Sequence, residues 1–326
     1  MTVQNKVRIG FHKSVQGAFT QDVIDDIKQQ IVEKYNAELI EADFRKGVLI
    51  DGKVYVGDIC LNDCDVYFWH DTLWPAKTGS DSYYVHLLRA IGRDAVVINS
   101  AESTEIVNDK LRAHELLRHA SLPVAEYALV NSEDTQGIDE VFARLGGDVL
   151  VKPRFGGWGK GIVRCRSASD LKDIIEFAVA SSGKQSQVLL ERFYENDPAS
   201  WTSVSMMGQK PIIGYRKPFS IGQSDWKVYD PDKIDGRGEM SEYVAPSPEL
   251  CELAKQAQSA LGKDIVGFDF IATAEGYKIV DENGRPGLYA HCLERAQINI
   301  ADEIVSLVGS VIAGRADGGN RLTQVE

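Results

Sequence analysis

The chain has 326 residues, 44% apolar and 26% charged, the profile of an ordinary globular protein of two or three domains. Its 36 basic and 48 acidic residues leave a net charge of −12, which argues against nonspecific binding to nucleic acid or anionic membranes. No apolar run is long enough to span a bilayer, and the first residues enter a strand without a signal-peptide core.

Val7 to Gly10 reads as a first strand, and Thr20 to Tyr35 as an amphipathic helix with Val23, Ile24, Ile27, Ile31 and Val32 inward. Glu38 to Ala42 reads as a strand, and Val48 to Val56 as a hairpin about Asp51-Gly52. Asp65 to Trp69 and Ala95 to Asn99 read as buried strands separated by a helix from Ser82 to Ile91. This alternation implies an α/β layer with a mostly parallel sheet. A helix is expected from Ser103 to His119, before Leu122-Pro123. From Val149 the pattern changes to antiparallel hairpins with interspersed helices, an α+β arrangement. Ser167 to Asp170 is a capping box opening a helix to Ala180, and Ser247-Pro248 starts another that Gly262 stops. The glycine-rich tail after Ala313 reads as frayed. Cys60, Cys64, Cys165, Cys251 and Cys292 are scattered and odd in number, which fits free thiols in a reducing cytoplasm.

Two stretches carry chemistry. Between Val149 and Arg166, Gly156, Gly157, Gly159 and Gly161 separate two strand-like runs and free the backbone to approach a ligand. From Lys152 to Arg166 there are five basic residues (Lys152, Arg154, Lys160, Arg164 and Arg166) and no acid. That local reversal of charge calls for an anion. The spacing matches neither a Walker A loop nor a Rossmann fingerprint, and a glycine-rich hairpin closing over nucleotide phosphates fits it better.

The second stretch runs from Ile265 to Asn283 around a turn at Ala274-Glu275-Gly276. Folding it as a hairpin sets Asp269 opposite Asp281, with Asn283 on the same face opposite Gly267, and leaves Glu282 on the other face. Like charges directly opposite in a sheet repel. Oxygen donors converging on one point suit a hard cation such as Mg²⁺, completed by substrate phosphates.

Together these stretches resemble the ATP-grasp superfamily, and within it the RimK-type amino-acid ligases, with glutathione synthetase and D-alanine ligase more distant. The matching pieces are Asn108-Asp-Lys-Leu-Arg112, Val151-Lys-Pro153 before the glycine loop, Val188-Leu-Leu-Glu-Arg-Phe193, Arg237-Gly238, Val266-Gly-Phe-Asp269 and Asp281-Glu-Asn-Gly-Arg-Pro-Gly287. The resemblance implies an N-terminal α/β pre-ATP-grasp domain (1–102), a central lid subdomain with the glycine loop (103–189) and a C-terminal metal and nucleotide subdomain (190–315), with 316–326 as tail.

It also implies roles. Lys110, Lys152 and Lys227, with Gly156, Gly157, Gly159 and Lys160 of the loop, would contact the phosphates of ATP, and backbone groups of Glu191, Arg192 and Phe193 the adenine edge. Asp269, Asp281 and Asn283 would hold two Mg²⁺ ions, with Mn²⁺ as a substitute. Arg237 would stabilise the tetrahedral oxyanion. Asp281 stands where such enzymes usually carry Glu. Trp201 stands at the usual acidic ribose contact, for which Glu195 or Asp197 could substitute. Substrate selectivity is expected from Trp69, His70, Asp71, Arg216, Lys217, Tyr289, His291 and Arg295. The implied function is an ATP-dependent, cytoplasmic, homo-oligomeric ligase. It would join a small-molecule carboxylate to the amine of an amino acid or peptide through an acylphosphate. A phosphotransferase and a non-catalytic nucleotide-binding regulator are the alternatives.

Overall fold

A computed structural model describes residues 6–12, 19–69, 83–131, 137–156, 159, 161–182, 187–217 and 241–316. Strand β1 (Val7–Phe11) leads to helix α1 (Gln21–Tyr35), which buries Ile24, Ile27 and Ile31 at helical spacing. Strand β2 (Ala37–Glu41) pairs parallel with β1. An antiparallel meander follows, formed by β3 (Val48–Ile50), β4 (Lys53–Val56) and β5 (Ile59–Cys60). Its first turn is the Asp51-Gly52 pair read from the sequence, while the two-residue β5 is too short to show any alternation. Strand β6 (Val66–Phe68), helix α2 (Tyr83–Ile91) and strand β7 (Val96–Ile98) complete a parallel sheet in the order β2-β1-β6-β7.

The single helix expected from Ser103 to His119 is two helices, α3 (Ala101–Asn108) and α4 (Lys110–His119). The break falls at Asp109, whose Oδ1 caps α4 by accepting from the Leu111 amide. Arg154 holds that carboxylate with bonds of 2.7 and 2.6 Å, and its carbonyl accepts the Lys110 amide. The break therefore sets Lys110 at the first position of a helix, against the strand that precedes the glycine loop.

Strand β8 (Tyr127–Asn131), helix α5 (Ile138–Arg144), strands β9 (Val149–Lys152) and β10 (Val163–Cys165), helix α6 (Ala168–Ser182) and strand β11 (Gln187–Arg192) form a second unit. Its antiparallel sheet runs β10-β9-β11-β8 and has its own apolar cluster around Val149, Leu171, Ile175 and Leu190. Ser167 Oγ accepts from the Asp170 amide at 3.1 Å, as the capping box requires.

The third sheet is antiparallel, in the order β14-β13-β12-β15-β16. It contains β12 (Thr202–Met207), β13 (Lys210–Arg216), β14 (Glu242–Val244), β15 (Ile265–Thr273) and β16 (Gly276–Asn283), with α7 (Pro248–Leu261) between β14 and β15. Helices α4 and α7 share a core with one face of this sheet, burying Ala113, Leu117, Ala254, Phe268, Phe270 and Ile279. The opposite face carries Asp269 and Asp281. Helices α8 (Ala290–Ala296) and α9 (Ile300–Ala316) close the chain, and α9 packs on α1. Helix α9 continues past Ala313 to Ala316, beyond the point where the tail was expected to fray. Among the described residues no single helix is long and apolar enough to cross a membrane.

Candidate active site on the C-terminal sheet

The β15–β16 turn pairs Thr273 with Gly276, and that register continued unbroken would set Asp269 opposite Val280. A bulge between Asp269 and Phe270 takes up one residue, so that Asp269 pairs with Asp281 and Gly267 with Asn283. The extra residue, Val280, packs with Ala125, Tyr194 and Ile271, and Trp201 lies against them. Register across the sheet extends the row: Tyr215 pairs with Ser203, Ser203 with Asp269, and Asp269 with Asp281.

Each carboxylate in this row is held by a lysine. Lys110 Nζ binds Asp281 Oδ1 from the α4 side, and Lys217 Nζ lies 2.5 Å from Asp269 Oδ2 at the end of β13. Asp269 Oδ1 accepts from Ser203 Oγ at 2.6 Å and from Asn283 Nδ2 at 3.2 Å. Burial opposes ionisation of Asp281, but the Lys110 ammonium, aided by Lys152 and Lys217, keeps its pKa below the usual carboxylate range. Burial likewise opposes the charges on Lys110 and Lys217, and Asp281 and Asp269 respectively hold both ammoniums above the ordinary lysine range.

The donor set fits a hard divalent cation. Two carboxylates and an amide carbonyl share one face, and ammonium groups stand where positive charge belongs. Among the described residues no three His, Cys, Asp or Glu side chains converge on one point. Such a partial oxygen shell is what Mg²⁺ takes when phosphates and water complete it.

Behind the row runs a chain of buried polar groups. Lys152 Nζ donates to the Val280 carbonyl at 3.1 Å and lies 2.5 Å from Glu191 Oε2. Glu191 Oε1 is 3.3 Å from His114 Nε2, and His114 Nδ1 is 3.8 Å from Glu282 Oε2. Burial opposes a charge on Glu191, yet Lys152 and His114 bring its pKa down to about 2. Burial raises that of Glu282 to about 7. Sequence reasoning assigned nothing to His114, and expected backbone contacts alone from Glu191. His114 lies one helical turn after Lys110, which is the signal that could have found it. Ser203 carried no signal before its strand was known to pair with β15.

The glycine loop joins β9 to β10, whose register pairs Val151 with Val163. Gly156, Gly159 and Gly161 adopt positive φ of 125°, 62° and 76°. Three of the five basic residues beside it, Lys152, Arg154 and Arg164, meet acids from elsewhere in the chain. Lys152 meets Glu191, Arg154 meets Asp109, and Arg164 meets Asp148 at 2.5 Å and Glu195 at 3.1 Å. At the hinge, the Arg192 and Phe193 amides donate to the carbonyls of Glu126 and Asp148. Sheet bonding thus occupies two of the backbone groups among Glu191, Arg192 and Phe193 that were expected at the adenine edge.

Of the proposed ribose contacts, Asp197 caps a short helical turn and Glu195 bonds Arg164. Trp69 is buried, its indole donating to the Asn99 carbonyl, and Tyr289 packs between Tyr215 and His291. Gly157, Lys160, Lys227 and Arg237, with His70 and Asp71, lie outside the described residues.

The sequence model of the RimK-like ATP-grasp domain matches residues 107–308, more than half of the chain. A probable alpha-L-glutamate ligase from Aeromonas salmonicida is 25% identical over 198 residues, covering 60% of this chain and 62% of that relative's length. A RimK domain ATP-grasp protein from Sphaerobacter thermophilus superposes with a TM-score of 0.64 at 14% identity, covering 92% of this chain and 99% of that one. The ATP-grasp ligase PsnB, solved with a minimal precursor, Mg and ADP, gives a TM-score of 0.60 at 18% identity, covering 93% and 98%. The structural likeness establishes an ATP-grasp fold.

Proposed function

Because the chain belongs to the RimK-like ATP-grasp family, we propose that it is an ATP-dependent ligase joining a carboxylate to the amine of an amino acid or peptide. The observation that carries this reading is the row of Asp269 and Asp281, with Asn283, set beside Lys110 and Lys152. On this reading Asp269, Asp281 and Asn283 hold two Mg²⁺ ions, which supply charge neutralisation to the β- and γ-phosphates. Lys110 and Lys152 hold the phosphates as point charges, and Lys227 and Lys160 add to them.

A carboxylate oxygen of the first substrate attacks the γ-phosphorus, and the bond to the bridging oxygen of ADP breaks. The acylphosphate so formed is attacked at its carbonyl carbon by the amine, which loses a proton as inorganic phosphate leaves. Arg237 meets the oxyanion of that second step. Phosphoryl transfer of this kind needs positioning and fixed charge, and no protein nucleophile. The naming of relatives as glutamate ligases supports an amino-acid acceptor.

The test is release of ADP and phosphate from Mg-ATP against pooled amino acids, peptides and small carboxylates, with mass spectrometry of the products. Turnover that needs two substrates, with a product one water lighter than their sum, is the expected result. Asp269→Asn and Lys152→Ala should each reduce turnover by at least about 10²-fold while leaving the circular dichroism spectrum intact. ADP formed with phosphate retained on one substrate would make the protein a phosphotransferase, and normal turnover by either variant would discard these site assignments.

A further inference from the structure

We propose that Lys217 is a resident counter-ion of the metal site. It occupies the metal-binding oxygen of Asp269 until an anionic substrate group draws it away, so that cation loading depends on the anion. The inference rests on the reading of Asp269 as a metal ligand and adds a device to it.

The argument begins with the acceptor capacity of one carboxylate. Asp269 Oδ1 already takes two donors, Ser203 Oγ at 2.6 Å and Asn283 Nδ2 at 3.2 Å. Oδ2 is therefore the oxygen best placed to meet a cation, and Lys217 Nζ holds it at 2.5 Å. An ammonium and a divalent ion on the same oxygen repel strongly at that range. One must leave for the other to bind.

Lys217 follows β13 directly, one residue past the end of the strand. Tyr215 stands in register with Ser203, and Ser203 with Asp269, so the residue two beyond Tyr215 projects toward the same row. Asp281 adds a second carboxylate to its field. The arrangement mirrors that of Lys110 on Asp281, and the two lysines neutralise the two acids. Lys110 has an onward partner in the nucleotide phosphates on the reading above. Lys217 stands at the opposite end of the row, where a released ammonium meets the other negative group of the reaction: the terminal phosphoryl or the substrate carboxylate.

Coupling of this kind is reciprocal: what draws the ammonium off Asp269 strengthens the cation, and the cation strengthens the anion. The probe is Mn²⁺ alone, followed by the electron paramagnetic resonance signal of the free ion, with and without ADP and with inorganic phosphate added. In the wild-type protein Mn²⁺ alone should bind weakly, and ADP with phosphate should tighten it. Lys217→Met should bind Mn²⁺ alone at least about tenfold more tightly, and its enhancement by the anions should shrink by a similar factor. Lys217→Arg, which keeps the cation and grips a carboxylate more firmly, should bind Mn²⁺ alone no better than wild type and gain again from the anions. If Lys217→Met does not fold, the arginine variant decides: tighter Mn²⁺ binding by Lys217→Arg overturns the inference. Equal affinity of the wild type and Lys217→Met for Mn²⁺ alone also overturns it. Absence of Mn²⁺ binding from every protein, even with ADP, overturns the metal reading of Asp269 and this inference with it.

Discussion

Lys263 brings an amine into the interior with one hydrogen bond, from Nζ to Thr104 Oγ1 at 3.0 Å, and the residue is 2% exposed. Burial pulls its pKa down to about 7, against the pull of Asp264. A lysine whose folded pKa lies below its unfolded value binds its proton more tightly in the unfolded chain. Stability therefore rises with pH above about 7, and the charged amine weighs against the fold below it. The full effect is roughly 4–5 kcal/mol. Lys263→Met should be more stable than wild type at mildly acidic pH by about 3 kcal/mol, allowing about 1 kcal/mol for the unpartnered Thr104 hydroxyl. The gap should narrow by about 1.4 kcal/mol per pH unit above neutrality. Urea unfolding of both proteins across that range checks this, and a gap that does not change with pH refutes it. Nothing local marks Lys263 in the sequence. Gly262 to Asp264 reads as a polar connection, and the cover comes from a helix more than a hundred residues earlier. His114 and Glu282 offered only their spacing and strand face, and their pairing was not legible because it joins residues of different elements.

At the scale of elements, what could be read was what neighbours in the chain decide. The β15–β16 hairpin was legible from its turn and two-residue alternation, but the facing of Asp269 and Asp281 rests on two features that were not: Gly276 starts the strand instead of ending the turn, and the bulge at Val280 restores the lost residue. The break at Asp109 was hidden because Arg154, which holds the cap, lies on another element. The run after Asn283 shows why its last glycine is there. The Gly287 amide donates to Tyr215 Oη at 3.3 Å and its carbonyl accepts from Ser205 Oγ at 2.9 Å. A Cβ at Gly287 would stand 2.5 Å from Tyr289 Cε2 and 2.8 Å from Tyr215 Cζ. Those rings pack edge to face with centroids 5.0 Å apart, so neither can withdraw without moving the other. Gly287→Ala should lower stability by about 1–3 kcal/mol. Because Tyr215 belongs to the row that ends at Asp281, the variant should also weaken Mn²⁺ binding in the presence of ADP. Thermal melts and the Mn²⁺ titration read the two effects separately. A wild-type melting temperature would show that the tyrosines yield freely.

At the scale of the molecule, the apolar clusters divide the chain differently from its order. Ile9, Phe11, Ile27 and Ile31 of the N-terminal layer share one core with Ile213 and Ile265 of the C-terminal sheet, and with Ile304, Val305 and Val308 of α9. Tyr35 reinforces the junction by donating to the Val305 carbonyl at 3.0 Å, and Gln30 by donating to Asp302 at 2.9 Å. The sheet of β8 to β11 keeps a separate cluster, with Val130, Ile138, Val149 and Leu190 inside it. The first and last parts of the chain should therefore open as one cooperative body, while the sheet bearing the glycine loop opens on its own. Ile304 is fully buried at the centre of the shared core, and Ile304→Ala should remove about 2–5 kcal/mol. Hydrogen exchange locates that loss. Amides of β1, β6 and β15 should exchange faster together, though they come from opposite ends of the chain, while those of β9 and β11 keep their wild-type rates. Such a division would let the acidic row stay within one rigid body while the β8–β11 sheet opens separately. Exchange that quickens in α9 alone would mean that the core is divided at that helix, and the row would then rest on the C-terminal sheet without support from the N-terminal layer.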